Sequence, residues 1–344
     1  NRLSLYLELE KEPRQDQIRG IVRFILSIFH LIIVLMLLGT IMNAYISPNV
    51  FGMLNLLSLA FPILMIIHIL LLIFWIISWR KRAAIFLVLT LFLITPIRRW
   101  INYTPAKKEI PNLKVISLNG KSGKFGDENI YRFLNEQQAD VVLTQEYKSA
   151  ENLKGFEYFE RRFPVVKIQS RFPILRSDIV ETDAKNGRCI FADIKVNDKV
   201  IRFVNVYMEP FYIEKQMVKP GDNLDENEKK FKNILHMLIP TFRKHQNQII
   251  PIKSFIEGSP YPVIVAGDFN AVPNSYEYYK ISEGLPDVFL KVGRGSGTSF
   301  HDFKFPLKID HFFASESIES ISYKVDRSVR ISDHFPVLAE FRVK

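Results

Sequence analysis

An all-α membrane segment followed by a large α/β domain is the fold class this sequence predicts, and three observations carry it. Two long runs near the N-terminus, Phe24–Met42 and Phe51–Trp79, contain no Lys, Arg, Asp or Glu. From about Leu113 the chain changes character, to short apolar runs that each end in polar residues. Residues 113–344 are also numerous enough to bury a two-sheet core with outer helices.

The apolar runs come first. Phe24–Met42 has nineteen residues and Phe51–Trp79 twenty-nine, and each as a helix crosses roughly 30 Å of hydrocarbon. The second has no polar face, which argues against a buried helix of a soluble core. Ala83–Ile97, with fifteen residues, is a third candidate and short for a straight span. His30 and His68 lie inside these runs, and two isolated histidines are expected to pack between helices. The first run is too long for a secretory signal, and no evident cleavage site follows it. The chain opens on Asn1, so its first residue need not be the natural start.

Charge supplies an orientation. Lys11, Arg14, Arg19 and Arg23 precede the first run, Arg80-Lys81-Arg82 separates the second from the third, and Asn43–Val50 is uncharged. The positive-inside rule then puts the N-terminus in the cytoplasm, and three spans carry the domain to the far side. Arg98 and Arg99 argue the other way. Of the net charge of +10, residues 1–100 hold +6, so the remainder is close to balanced and is not a strongly basic nucleic-acid clamp. The one cysteine, Cys189, allows no internal disulfide and leaves the redox compartment open.

Tyr103–Pro111, with Pro105 and Lys107-Lys108, reads as a linker. The long stretch from Pro210 to Pro262 has helical spacing at Phe231, Ile234, Leu235 and Leu238, with Pro240 interrupting it, and is expected to cover the domain as a helix. Gly221-Asp222-Asn223 marks a turn near its start. Gly293–Gly297 reads as a flexible loop rather than a phosphate cradle, because no lysine-containing phosphate-loop pattern follows.

The strand-like runs carry the chemistry. Ile264-Val265-Ala266-Gly267 delivers Asp268 and Asn270, two residues apart and expected on one face of a strand end. A carboxylate that takes a proton beside an amide that donates hydrogen bonds suits attack of water on phosphorus. Lys114–Leu118 ends in Asn119, and Asp140–Thr144 ends in Gln145-Glu146. Ile309–Phe313 includes Asp310, and Ser332-Asp333-His334 precedes Phe335–Ala339. Phosphodiester cleavage needs charge neutralisation, an oriented water and a protonated leaving oxygen. Oxygen donors of this kind favour Mg²⁺ or Mn²⁺, with Ca²⁺ also compatible, over zinc. His334 with Asp310 forms a base–orienter pair.

In these five blocks and their order the chain resembles the endonuclease/exonuclease/phosphatase superfamily, the DNase I-like group, as a membrane-anchored bacterial-type member. The resemblance covers about Leu113 to Lys344. It implies a four-layer α/β/β/α sandwich with the site at one sheet rim. It further implies that Glu146, with Asn119 beside it and Asp333 assisting, holds a divalent metal. Asp268 and Asn270 would then handle water and phosphate, and His334, oriented by Asp310, would contact the scissile phosphate or move a proton. One block departs from the common pattern: Asn205-Val206-Tyr207-Met208 stands where the family usually reads Asn-Val-His-Leu. The abasic-site endonuclease branch also carries a tyrosine there. A phenol donates a hydrogen bond but cannot act as an imidazolium near neutral pH.

The expected organisation is a cytoplasmic segment 1–23, a membrane region 24–97 with two or three helices, a linker 98–112 and a catalytic domain 113–344. The expected activity is Mg²⁺-dependent hydrolysis of a phosphoester by a multi-pass protein of the cytoplasmic (inner) membrane, with its domain on the extracytoplasmic side. Its partners are the lipid bilayer and a phosphoester substrate, either nucleic acid or a phospholipid or phosphorylated small molecule; no protein partner is inferable. The alternative is a catalytically degenerate membrane scaffold or ligand-binding protein on the same fold.

Overall fold

The computed structural model describes residues 2–78, 81–147, 152–214, 216–303 and 305–344. Trp79 and Arg80, and the side chains of Lys11 and Arg14, fall outside the described part. The chain opens with α1 (Arg2–Gly39), a 3₁₀ turn (Thr40–Ala44), the short α2 (Pro48–Phe51) and α3 (Met53–Ile77). Next come α4 (Lys81–Leu91), α5 (Ile94–Arg98) and strand β1 (Ile101–Tyr103).

Two of these helical stretches, Gln17–Ala44 and Met53–Ile77, are long and apolar enough to cross a membrane, with mean hydropathies of 2.7 and 2.8. Their outward side chains, among them Ile25, Leu35, Ile66 and Leu70, stay exposed. The third run behaves differently. α4 has only 11 residues, about 16 Å at the helical rise, and the helix breaks after Leu91 before Pro96. α4 nevertheless lies against its neighbours, with Phe86 packing on Val34 and Trp75. His30 and His68 do pack between helices: their rings share a 2.8 Å hydrogen bond, and Trp75 Nε1 donates to His30 Nδ1 at 3.0 Å.

The larger part is a mixed α/β fold with two large sheets. Its elements follow β1 as β2 (Leu113–Asn119), α6 (Asp127–Glu136), β3 (Val141–Gln145), β4 (Tyr158–Phe163), β5 (Val166–Ser170) and β6 (Ile174–Ile179). β7 (Arg188–Val196), β8 (Lys199–Tyr207), α7 (Leu224–Glu257), β9 (Val263–Asp268), α8 (Tyr276–Ser282) and α9 (Val288–Val292) come next. β10 (Arg294–Ser296), β11 (Asp310–Ala314), β12 (Glu319–Val325) and β13 (Val337–Arg342) complete the chain. One sheet has the order β12-β13-β2-β3-β5-β4 and the other β11-β9-β8-β7-β6.

Each sheet has one parallel pair, β2/β3 and β8/β9, because a helix makes each crossover. Strand alternation then sorts the side chains into layers. Val115 of β2 and Ile264 and Ala266 of β9 enter the core between the sheets. Ile116 and Leu118 face α6, and Val263 and Val265 face α7 on the opposite outer side.

The expected covering helix is α7, but it runs straight through Pro240 and Pro251. Its buried face is Leu238, Phe242, Ile249 and Ile252, whereas Phe231 is exposed. Packing on both sides of each proline holds a helix that the lost backbone donor would otherwise interrupt. Gly221-Asp222-Asn223 is its N-terminal cap, with Asn223 Oδ1 accepting from Glu226 N at 2.8 Å.

The expected linker is stitched to the domain. β1 pairs with β10, so the Gly293–Gly297 segment is a strand partner rather than a free loop. Lys107 N donates to Ile321 O at 2.8 Å.

Candidate active site

Five strand ends meet at one rim, and the local backbone explains how each side chain gets there. Gly267 has φ +144, and a Cβ there would lie 2.0 Å from Val206 O, so only glycine lets β9 approach β8 this closely and deliver Asp268. Asn270 meets Asp268 by a different route from the expected strand alternation. β9 ends at Asp268, and Asn270 sits in the left-handed region at φ +46. That turn folds it back, so Asn270 N donates to Asp268 Oδ1 at 2.8 Å and its Nδ2 to Met208 O at 3.1 Å.

Asn119, at the end of β2, ties the two sheets together at the rim. Its Nδ2 donates to Asp268 Oδ2 at 2.9 Å and to Glu146 Oε1 at 3.2 Å. Glu146 also lies in the left-handed region, at φ +47, one residue beyond β3. Behind it, Gln145 Nε2 donates to the fully buried Asn205 Oδ1 at 2.6 Å, and Asn205 Nδ2 donates to Thr144 O and Lys167 O. This polar bridge pins the strand that carries Glu146, because buried amides must find partners.

Tyr207 ends β8 and is 6% exposed. Its hydroxyl donates to Glu146 Oε1 at 2.9 Å. Burial, reinforced by the charges of Glu146 and Asp268, holds the phenol well above its usual range, so it stays a donor.

The remaining acids converge on His334. Its Nδ1 meets Asp310 Oδ2 at 2.8 Å and its Nε2 lies 3.9 Å from Asp268 Oδ2. Ser299 Oγ donates to the same Asp310 oxygen at 2.5 Å. Burial alone would lower the His334 pKa, but Asp310, Asp268 and Asp333 outweigh it and raise it. Burial raises the Asp268 carboxyl, with His334 opposing and Asp310 adding to the rise. The pair is therefore a charged imidazole beside a carboxyl whose proton affinity is shifted toward neutral pH.

Asp333 does not join Glu146 directly. Its Oδ2 takes an ion pair from Lys121 Nζ at 3.2 Å, and Ser332 Oγ donates to its Oδ1 at 3.1 Å. Lys121 was not among the sequence candidates. Lys121, Ser122 and Gly123 are three successive left-handed residues, a turn that the Asn-Gly-Lys string alone does not announce. Burial depresses the Lys121 ammonium, but Asp333, Glu146 and Asp268 raise it overall.

These groups border a cavity of ≈ 220 Å³ lined by Lys121, Glu146, Tyr207, Asp268, Asn270 and His334. Four carboxylates (Glu146, Asp268, Asp310, Asp333) face one ammonium and one imidazole. That surplus of negative charge, with Asn119 beside Glu146, fits a hard divalent cation. Asp268, Asp310 and His334 also offer ligand atoms within 4.8 Å of one another.

The cavity has a wall that sequence reasoning missed. Asn55 and Leu59 of α3 line it, together with Glu277 of α8. Asn55 Nδ2 donates to both Glu277 oxygens at 3.0 and 2.9 Å, and His245 Nδ1 meets Glu277 Oε1 at 3.2 Å. Asn43 Nδ2 and Ser58 Oγ donate to Asn274 O at 3.0 and 2.6 Å. The apolar helices and the loop after Asp268 thus share one buried polar joint. The available signal was Asn55 and Ser58, polar residues inside an otherwise apolar run.

A family profile described as "Endonuclease/Exonuclease/phosphatase family" matches residues 116–334, and one described as a domain of unknown function matches residues 23–100. No curated protein matches the chain. Among solved structures, the chain is similar to an AP endonuclease from Archaeoglobus fulgidus, with 18% identity, a TM-score of 0.47, and 67% of this chain and 100% of that one covered. The human Nocturnin catalytic domain with bound sulfate anion is 13% identical, with a TM-score of 0.48 over 69% of this chain and 96% of that one. A mannosyl-6-phosphatase of Bacteroides thetaiotaomicron is 22% identical, with a TM-score of 0.46 over 67% and 99%.

Proposed function

Because the chain belongs to the endonuclease/exonuclease/phosphatase family, we propose that it is a membrane-anchored, metal-dependent phosphoesterase that cleaves a phosphodiester by water attack. The observation that carries this reading is the convergence of Asp268, Asp310 and His334 beside the Asn119–Glu146 pair, with Asp268, His334 and Glu146 bordering one cavity.

Glu146 and Asn119 would hold a divalent ion, Mg²⁺ or Mn²⁺, and Asp333, expected to assist them, would hold Lys121 beside the site through their ion pair. Such an ion would supply Lewis-acid neutralisation of charge on the phosphate. The protein groups do the rest. Asp268, with its raised proton affinity, accepts the proton of the attacking water. Asn270 and Lys121 donate hydrogen bonds to phosphate oxygens. His334, kept charged and aimed by Asp310, stabilises the developing negative charge and passes a proton to the leaving oxygen. Tyr207 orients Glu146 through its 2.9 Å hydrogen bond.

α1 and α3 would be membrane spans and the kinked α4–α5 stretch, packed beside them from Arg82 at one end to Arg99 at the other, the return crossing, with the divisions at 23, 97 and 112 marking segment, membrane region, linker and catalytic domain. Charge placement supports an extracytoplasmic domain in a bacterial inner membrane. Arg82 Nη1 donates to Arg23 O, so basic residues gather at the bundle end away from the hairpin that meets the domain. Arg98 and Arg99, whose charges oppose that orientation, are engaged inside the protein: Arg98 with Asn102 at 3.1 Å, and Arg99 with Asn274 at 2.9 Å and over the Tyr279 ring.

The test is hydrolysis of a generic phosphodiester, DNA and phospholipid in ¹⁸O-water by the full chain in detergent. One ¹⁸O on the phosphate product, lost with chelator and restored by Mg²⁺, supports the reading. No turnover of any ester would favour the non-catalytic scaffold.

A further inference from the structure

We propose that the substrate is a lipid phosphoester, held with its phosphate at the strand ends and its hydrocarbon chain against α3. The inference rests on the phosphoesterase reading and names the substrate class of the same site.

The cavity has two unlike ends. Its polar end is the cluster around Asp268 and His334. Its other wall is largely apolar and comes from four parts of the chain: Leu59 of α3, Phe211 and Ile213 after β8, Phe242 of α7, and Phe303 and Leu307 before β11; Asn55 and Glu277, which also border it, are hydrogen-bonded to each other. A free sugar phosphate or a nucleotide would place polar edges against this wall and leave them unpaired, which costs binding energy. Among the described residues lining the cavity, Lys121 is the one Lys or Arg. A polyanionic strand needs several phosphate-neutralising cations along its path, so this lining does not suit it.

The wall also continues in a definite direction. Leu59, Ile63, Ile66 and Leu70 recur at spacings that put them on one face of α3. Leu59 borders the cavity, while Ile63, Ile66 and Leu70 are 49%, 50% and 62% exposed. An apolar stripe therefore leads from the cavity onto the outer surface of a helix long and apolar enough to lie in a bilayer. A lipid whose chains contact that stripe presents its phosphoester beside Leu59 without leaving the membrane. In the reaction the water oxygen bonds to phosphorus and the bond from phosphorus to the leaving oxygen breaks. The water proton ends on that oxygen, giving a phosphomonoester and an alcohol with no change of oxidation state.

The experiment uses the full chain in nanodiscs with Mg²⁺ and a series of p-nitrophenyl alkyl phosphates from ethyl to dodecyl, each kept below its micelle concentration. While the tail lies on the wall, kcat/KM should rise roughly fourfold per methylene, the ~0.8 kcal/mol of a buried CH₂. Leu59→Gln and Phe303→Ser should flatten that rise. Phosphatidylglycerol in the same discs should be cleaved faster than single-stranded DNA at equal phosphate. A chain-length profile that is flat in the wild-type protein, or faster cleavage of DNA, overturns the lipid assignment while the phosphoesterase reading stands. No turnover of any ester, ethyl included, with Mg²⁺ or Mn²⁺ overturns both. The wild-type series decides the matter even if a variant fails to fold.

Discussion

Replacing Tyr207 by Phe separates two uses of a hydroxyl at this strand end. Its hydroxyl donates one 2.9 Å hydrogen bond to Glu146 Oε1, which also accepts from Asn119. Removing the hydroxyl leaves the ring in place, so the packing of Tyr207 against the core between the sheets is retained. The lost bond is one to a charged acceptor, worth about 1.5–3 kcal/mol. Residues that orient a metal ligand typically cost about 10–100-fold in metal affinity when changed. Titrating Mg²⁺ at saturating substrate should therefore show the half-activating concentration shifted upward by roughly that factor, with most of kcat recovered at high Mg²⁺. A hydroxyl that instead donated to the phosphate in the transition state would behave differently. Its loss would cut kcat by roughly a hundredfold or more at any Mg²⁺ concentration. A fall in kcat with an unmoved Mg²⁺ curve refutes the positioning role, and an unchanged enzyme leaves Tyr207 with packing alone.

Asp310→Asn, His334→Gln and the double variant should lose similar activity, because Asp310 acts through the His334 imidazole that it holds at Nδ1; additive losses in the kinetic cycle would make Asp310 purely structural. His311 is buried with its Nε2 on Ala271 O at 2.8 Å, and burial, then Lys308, lowers its pKa to about 4. The unfolded chain takes up that proton first, so stability is lost as pH falls from the unperturbed value of about 6.5 toward 4, by up to about 3 kcal/mol. Denaturant midpoints between those pH values should show the loss, and His311→Gln should lessen it; identical slopes would refute the assignment. Asn55→Leu strips two hydrogen bonds from buried Glu277 and should destabilise the full chain by about 3 kcal/mol, read as a lowered melting temperature in detergent. An unchanged melting temperature would mean that the joint is relaxed in solution.

Much of this rim is legible in the sequence because each part is a strand end. Asn119, Glu146, Tyr207 and Asp268 close apolar runs whose period places them at one edge, and the alternation of β2 and β9 foretells a core between two sheets. What escaped reading depends on turns or on distant contacts. Asn270 reaches Asp268 through a left-handed residue, not through strand alternation, and Lys121 arrives by three left-handed residues in succession. Asn55 and Glu277 are 222 residues apart, so nothing local couples them. α7 passes through Pro240 because tertiary packing, invisible to a proline rule, holds both sides. The third apolar run contains Pro96, and its helix stops after Leu91, which composition counting overlooked.

The most direct test of the central claim is the Mg²⁺ dependence of phosphodiester hydrolysis by Glu146→Gln beside the wild-type chain. The substitution keeps the side chain's shape and its contacts with Asn119 and Tyr207 in reach, and removes only the ligand charge. The expected result is a Mg²⁺-dependent wild type and a variant that has lost both Mg²⁺ binding and turnover while remaining folded. Full activity of Glu146→Gln in the presence of chelator would contradict the account.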